Sequence, residues 1–176
     1  MQLYVLRHGQ TDGNIVQMMQ GSRDIELNDT GRAQARHARE VLKQIPIDLI
    51  ICSPKKRTRE TAALACPGVP IIYDQRLRSR EHGEFEGLSR EQVNLKEYWN
   101  IRENKQYERA ESVQDLYQRV VSLIGEIKQK YTDKTILLVT HSGIARILYY
   151  YIHGIPSDGD LTGYESVNAS IEHYEI

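Results

Sequence analysis

The sequence predicts an α/β fold, a three-layer αβα sandwich built on a mostly parallel sheet. Short apolar runs alternate with segments in which apolar residues recur every three or four positions. This is the pattern of strands separated by amphipathic helices. Strands connected through helices run parallel, and the helices then cover both faces of the sheet. The length of 176 residues fits one domain, 1–176, with a single core.

The elements of the amino-terminal half follow from apolar runs and turn residues. Thr30 is a plausible N-cap for the first long helix, and Pro46 stops that helix. Ser53 and Pro54 open the next helix, with proline near its first position. The predicted elements are strands at 3–6, 47–52 and 69–73, and helices at about 30–45 and 54–64.

The carboxyl-terminal half continues the alternation. Ser112 and Asp115 resemble a capping box at the start of a long amphipathic helix. A strand at 135–140 precedes a helix at 144–152 that ends at Gly154, and alternation at 167–171 indicates a last strand. Residues 82–111 are polar and irregular, so we expect a short lid-like excursion over one edge of the sheet.

Composition gives no sign of a nucleic-acid or membrane partner. The net charge is −1, with charges of both signs interspersed, and no apolar stretch approaches the length that spans a bilayer. No signal peptide is visible, so a cytoplasmic protein is expected.

Cys52 and Cys66 form no CxxC pair. They are expected to be buried thiols, with a disulfide or a metal site as alternatives.

Cationic and imidazole side chains follow three of the predicted strands. Arg7 and His8 come directly after the first strand, and Arg57 lies early in the helix after the second. His141 follows the strand at 135–140, and the turn at Ser142 offers helix amides to an anion. The carboxyl ends of parallel strands meet at one edge of a sheet, where ligands bind. Two guanidiniums and two imidazoles together suit a phosphoryl group.

These residues also have other interpretations. Each histidine alone could be a structural residue, and Arg57 could belong to a solvated basic face at 55–57. A zinc site from His8, His141 and Glu81 is a further alternative, although adjacent arginines would repel a dication. Their joint placement at strand ends favours the phosphate site.

Three segments carry a family resemblance. Residues 6–11 with Asn14, residues 53–58 and residues 139–143 resemble the histidine phosphatase superfamily, and within it the phosphoglycerate mutase-like branch. The resemblance implies that His8 attacks phosphorus and forms a phosphohistidine. It implies that Arg7, Arg57 and His141 hold the phosphoryl oxygens, and that Gly9 and Asn14 orient the reactants. Neither a metal nor a cofactor is implied.

The sequence departs from this family at the general acid, the carboxyl group that protonates the leaving oxygen. Members usually carry a glutamate at the position of Ser79. Glu81 lies two residues further on, and a two-residue step keeps a side chain on the same side of an extended segment. Glu81 is therefore the candidate acid, with Glu84 or no acid at all as alternatives.

The resulting functional hypothesis is a phosphatase that hydrolyses the phosphomonoesters of small metabolites. A phosphomutase, or a binding protein without catalysis if the acid is missing, are the alternatives. The aromatic residues of the excursion could contact the substrate or could only pack onto the domain. A monomer or a homodimer is expected, with one ring of the tyrosines at 149–151 as a candidate dimer contact.

Overall fold

The computed structural model describes residues 1–176. The sheet has five strands: β1 (Gln2–Arg7), β2 (Leu49–Cys52), β3 (Ile71–Tyr73), β4 (Thr135–Thr140) and β5 (Ile171–Glu175). Six α-helices surround it: α1 (Asp12–Ile15), α2 (Asp29–Leu42), α3 (Lys56–Ala65), α4 (Leu95–Tyr98), α5 (Val113–Lys130) and α6 (Ser142–His153). No helix combines the length and apolar character that crossing a membrane requires.

The strands are ordered β3-β2-β4-β1-β5 across the sheet. All neighbouring pairs are parallel except β1 and β5, which are antiparallel. The two strands that end in the histidine motifs, β1 and β4, are therefore adjacent. The predicted α/β fold with a mostly parallel sheet is confirmed.

Alternate residues of the central strands face two separate cores, which makes the three layers. Leu137 and Val139 of β4 pack with residues of α2 and α3 on one face. Ile136 and Leu138 pack with residues of α5 and α6 on the other. Both faces of the sheet are covered, as the continuous apolar runs in the sequence indicate.

Several boundaries differ from the predictions. Helix α3 begins at Lys56 with Lys55 as its N-cap residue, so Pro54 lies before the helix. Helix α2 is capped by Asn28, whose side chain accepts a hydrogen bond from the Gly31 amide at 2.8 Å, so Thr30 lies inside the helix. Helix α6 begins at Ser142, with His141 as its N-cap residue. The alternation at 167–171 is mostly loop, because Ala169 has a φ of 57° and the strand starts at Ile171.

The excursion at 82–111 consists of short 3-10 turns and the single turn α4. Tyr98 is buried, and its ring lies 5.5 Å from the centroids of both Phe85 and Tyr107. The neighbouring Trp99 instead lines a cavity at the carboxyl edge of the sheet. Tyr98 therefore packs within the domain, and contact of Trp99 with a substrate stays a prediction.

Candidate active site

The central strands bring His8 and His141 together. Arg7 pairs with Thr140 in the β1–β4 register, and the His8 amide donates to the Thr140 carbonyl at 2.9 Å. Each histidine is the next residue after its strand, so the two rings lie edge to face with centroids 5.3 Å apart. The sheet itself sets the spacing of the two imidazoles.

Hydrogen bonds determine which nitrogen of His8 is free. The His8 Nδ1 lies 2.7 Å from the Gly9 carbonyl oxygen, which can only accept, so Nδ1 carries the proton. Burial, followed by the charges of Arg57 and Arg7, holds the pKa of His8 well below its usual value. The ring is neutral near pH 7, and its Nε2 has a free lone pair. This is the state that a nucleophilic imidazole requires.

His141 is oriented by a different partner. Its Nε2 lies 2.8 Å from the Ser53 hydroxyl, whereas its buried Nδ1 has no partner within the protein. Burial, followed by the charge of Arg57, also holds the pKa of His141 well below its usual value. The unpartnered Nδ1 is available to a phosphoryl oxygen.

Two buried arginines complete this cluster. Arg7 donates to the Ser166 carbonyl, and Arg57 donates to the Arg23 carbonyl at 2.7 Å. The Nε atom of each is buried without a partner. Burial lowers the pKa of Arg7 and of Arg57 to about 10, so both remain charged near pH 7. Buried, unpaired guanidiniums attract an anion.

The remaining predicted binding residues take different positions. Asn14 and Ser142 line the cavity. Gly9 does not: its amide donates to the Thr61 hydroxyl at 3.1 Å and its carbonyl contacts His8. The structure therefore places Gly9 behind the nucleophile, where it orients the imidazole.

The cavity is strongly polar, since only four of its 19 lining residues are hydrophobic. Five arginines and one carboxylate line it: Arg7, Arg57, Arg80, Arg90, Arg146 and Glu165. Glu165 accepts two hydrogen bonds from Arg90, and this contact lowers the pKa of Glu165. The other four arginines form no ion pair, so the cavity has an excess of positive charge.

The structure does not bring Glu81 to this cavity. Ser79 lines it, but Glu81 accepts a hydrogen bond from Arg78 at 3.2 Å on the outside. The segment is not a regular strand, so a two-residue step does not return the side chain to the same side. Glu84 also lies outside, where it accepts from the Glu108 amide at 3.1 Å.

No group of three or more His, Cys, Asp or Glu side chains is placed to bind a metal ion. The zinc alternative therefore lacks its third ligand.

Cys52 and Cys66 are free and buried, and burial raises the pKa of the Cys52 thiol to about 12. The prediction of buried thiols is confirmed.

Sequence reasoning missed four charged residues of the cavity: Arg80, Arg90, Arg146 and Glu165. Arg146 interrupts the apolar helix α6, and this charged residue in an apolar segment was a usable signal. Arg80 and Glu165 carried no such signal. Arg80 lies in an irregular segment next to Ser79, and Glu165 pairs with Arg90, which is 75 residues away in the sequence.

A neutral, oriented imidazole among buried guanidiniums is an arrangement suited to binding a phosphoryl group. The chain matches the histidine phosphatase superfamily (branch 1) over residues 3–176, and it belongs to that family. The resemblance seen in the sequence is thereby confirmed.

Similar proteins agree with this assignment. The chain is 32% identical over 174 residues to an uncharacterized phosphatase, PhoE, of Bacillus subtilis, covering 98% of this chain and 86% of the relative. It is 32% identical over 170 residues to a glucosyl-3-phosphoglycerate phosphatase of Mycolicibacterium vanbaalenii, covering 89% and 76%. The solved structure of Bacillus stearothermophilus YhfR superposes with a TM-score of 0.88 at 27% identity, covering 99% and 91%. The protein is an enzyme of the phosphatase type.

Proposed function

We propose that the enzyme hydrolyses the phosphomonoesters of small metabolites through a phosphohistidine on His8. The observation that carries the proposal is the hydrogen bond from His8 Nδ1 to the Gly9 carbonyl. It leaves the Nε2 lone pair unprotonated beside the cationic cluster.

In the first step, His8 Nε2 attacks phosphorus and the bond from phosphorus to the leaving oxygen breaks. In the second, water attacks phosphorus and releases a proton to solvent, the P–N bond breaks, and its electron pair returns to Nε2. Arg7, Arg57 and His141 hold the phosphoryl oxygens through both steps, because they are prearranged where charge spreads in the transition state. The arginines supply this charge without a metal ion.

The experiment is to trap the intermediate. With a ³²P-labelled substrate, rapid acid-free quenching should give one label per chain, stable in base, labile in acid and located on the peptide containing His8. His8→Ala should lower kcat by about 10³-fold or more. His37→Ala is the matched control, since His37 is exposed on α2 and should leave kcat within twofold.

The alternatives give different results in the same experiment. Transfer of the label to a second hydroxyl without release of phosphate would identify a phosphomutase. Binding without any label on His8 would identify a binding protein and overturn the proposal.

A further inference from the structure

The cavity offers no protonated carboxyl group to a leaving oxygen. Its one carboxylate, Glu165, is held by two hydrogen bonds from Arg90. Glu81 and Glu84 are outside and bound to other groups. The lining histidine His82 is buried, with its Nδ1 2.7 Å from the Tyr98 hydroxyl, and it lies near cations that disfavour its protonation. A leaving oxygen must therefore depart without receiving a proton from a carboxylic acid.

The same cavity contains two arginines without an ion pair besides Arg7 and Arg57, the two that would hold the phosphoryl group. Arg80 and Arg146 line it, are buried, and form no ion pair. The Arg80 Nη2 has no partner, although its Nε and Nη1 donate to the Glu111 and Tyr98 carbonyls at 2.9 and 2.8 Å.

Trp99 joins these two cations to the phosphoryl site. The guanidinium carbons of Arg80 and Arg146 lie 4.8 and 4.4 Å from its ring centroid. The Trp99 ring also lies so close to Gly143 that a Cβ at that position would meet it at 3.0 Å. Both guanidiniums therefore contact the same ring that packs against the turn following His141.

Charge counting agrees with this arrangement. Four lining arginines lack an ion pair: Arg7, Arg57, Arg80 and Arg146. A phosphate ester dianion carries two negative charges. When the phosphoryl group moves to neutral His8 this total does not change, but one of the negative charges moves onto the leaving oxygen. Charge developing on that oxygen would be stabilised by the remaining guanidiniums.

We infer that the enzyme selects phosphoryl groups whose leaving group departs as a stable anion, and that Arg80 and Arg146 stabilise this anion. Acyl phosphates, enol phosphates, aryl phosphates and phosphoanhydrides form this class. The inference rests on the proposed function. In the first step the leaving oxygen takes the electron pair of the P–O bond and leaves as RO⁻, and the phosphoryl group stays on His8 Nε2.

The test compares kcat/KM across leaving groups of graded pKa, with aryl phosphates, acetyl phosphate and glycerol 3-phosphate as substrates. We expect a steep dependence, with 4-nitrophenyl phosphate and acetyl phosphate hydrolysed about 10³-fold faster than the alkyl ester, which lacks the help of general acid catalysis. A kcat/KM for glycerol 3-phosphate within tenfold of these would overturn the inference. Absence of turnover with both activated substrates would overturn it too.

Ser79 gives the decisive variant, because it lines the cavity. Ser79→Glu should raise kcat/KM for glycerol 3-phosphate by about 10²-fold, the contribution of a positioned acid, and change that for 4-nitrophenyl phosphate less than threefold. Ser79→Gln is the matched control of nearly equal size without an ionisable group, and it should give no gain. An equal gain from both variants would mean that size matters and not the acid.

A variant of Arg146 tests whether this arginine stabilises the leaving anion. Arg146→Gln, checked for folding by its melting temperature, should lower kcat/KM for acetyl phosphate at least tenfold, and Arg146→Lys should restore part of it. No change in the folded Arg146→Gln variant would overturn the role of this arginine. The phosphohistidine experiment decides separately whether His8 is the nucleophile, so failure of one does not imply failure of the other.

Discussion

At the scale of single residues, the site depends on two hydrogen bonds that fix the tautomers of its histidines. The Gly9 carbonyl holds the proton of His8 on Nδ1. If the Ser53 hydroxyl donates to His141 Nε2, the proton of His141 is on Nδ1, the nitrogen that has no partner in the protein. One ring then presents a lone pair and the other a donor, which is what attack on a phosphoryl group requires.

Replacing Ser53 should disturb this arrangement while leaving every charged group in place. We expect Ser53→Ala to lower kcat/KM by about tenfold, because His141 loses the bond that orients it, in line with a neutral hydrogen bond of about 1.5 kcal/mol. Steady-state kinetics with 4-nitrophenyl phosphate would measure it. Ser170→Ala is the control, since the buried Ser170 hydroxyl has no partner. Equal losses in both variants would contradict the prediction.

At the scale of elements, the loop after β1 packs backbone against backbone on the start of α2. A Cβ on Gly9 would overlap the Gly31 carbonyl, and a Cβ on Gly31 would overlap the backbone of Gln10. The loop that carries His8 can therefore approach the helix only because both positions are glycine. The position of the nucleophile depends on this contact as well as on the sheet.

A pair of glycine substitutions tests this contact. Gly31→Ala should lower the free energy of unfolding by about 1–3 kcal/mol, the usual cost of overpacking, and should reduce activity. Gly125→Ala lies inside α5, where an added Cβ meets nothing within 4 Å. That variant should gain about 0.5–1 kcal/mol. Urea denaturation measures both, and a neutral Gly31→Ala would show that the loop can move away.

The elements also show what the sequence could and could not predict. Strong periodicity located every helix that packs on the sheet, and the motifs after β1 and β4 located the histidines because the carboxyl ends of parallel strands lie at one edge of the sheet. That β1 and β4 are direct neighbours did not follow from the sequence. The cap of α2 was misplaced by two residues, since Asn28 and Thr30 are both good caps and only tertiary packing decides between them. Glu81 was misplaced because the backbone from 78 to 82 is irregular, and periodicity carries no information there.

At the scale of the whole molecule, three buried histidines couple stability to pH. Burial lowers the pKa of His82 to about 3 and holds those of His8 and His141 well below the usual value. In the unfolded chain each would titrate near 6.5, so the unfolded state binds more protons in acid. The stability from these groups is complete above about pH 6.5 and is lost as the pH falls toward the folded-state pKa values.

We therefore expect the free energy of unfolding to fall as the pH drops below about 6.5, by at most about 1.4 kcal/mol per pH unit for each histidine. Urea denaturation between about pH 7 and about pH 4.5 measures the slope. His8→Asn should make the slope shallower. An unchanged slope in this variant would contradict the assignment of a depressed pKa to His8.

The central position of β1 and β4 has a consequence for the order in which the molecule comes apart. The His8 amide is hydrogen-bonded across these two strands, whereas the cavity wall at 82–111 consists of short turns outside the sheet. In hydrogen–deuterium exchange, amides of β1 and β4 should open only through global unfolding, and those of the wall through local fluctuations. The turns of the cavity wall can then loosen and reclose many times while His8 and His141 stay in register.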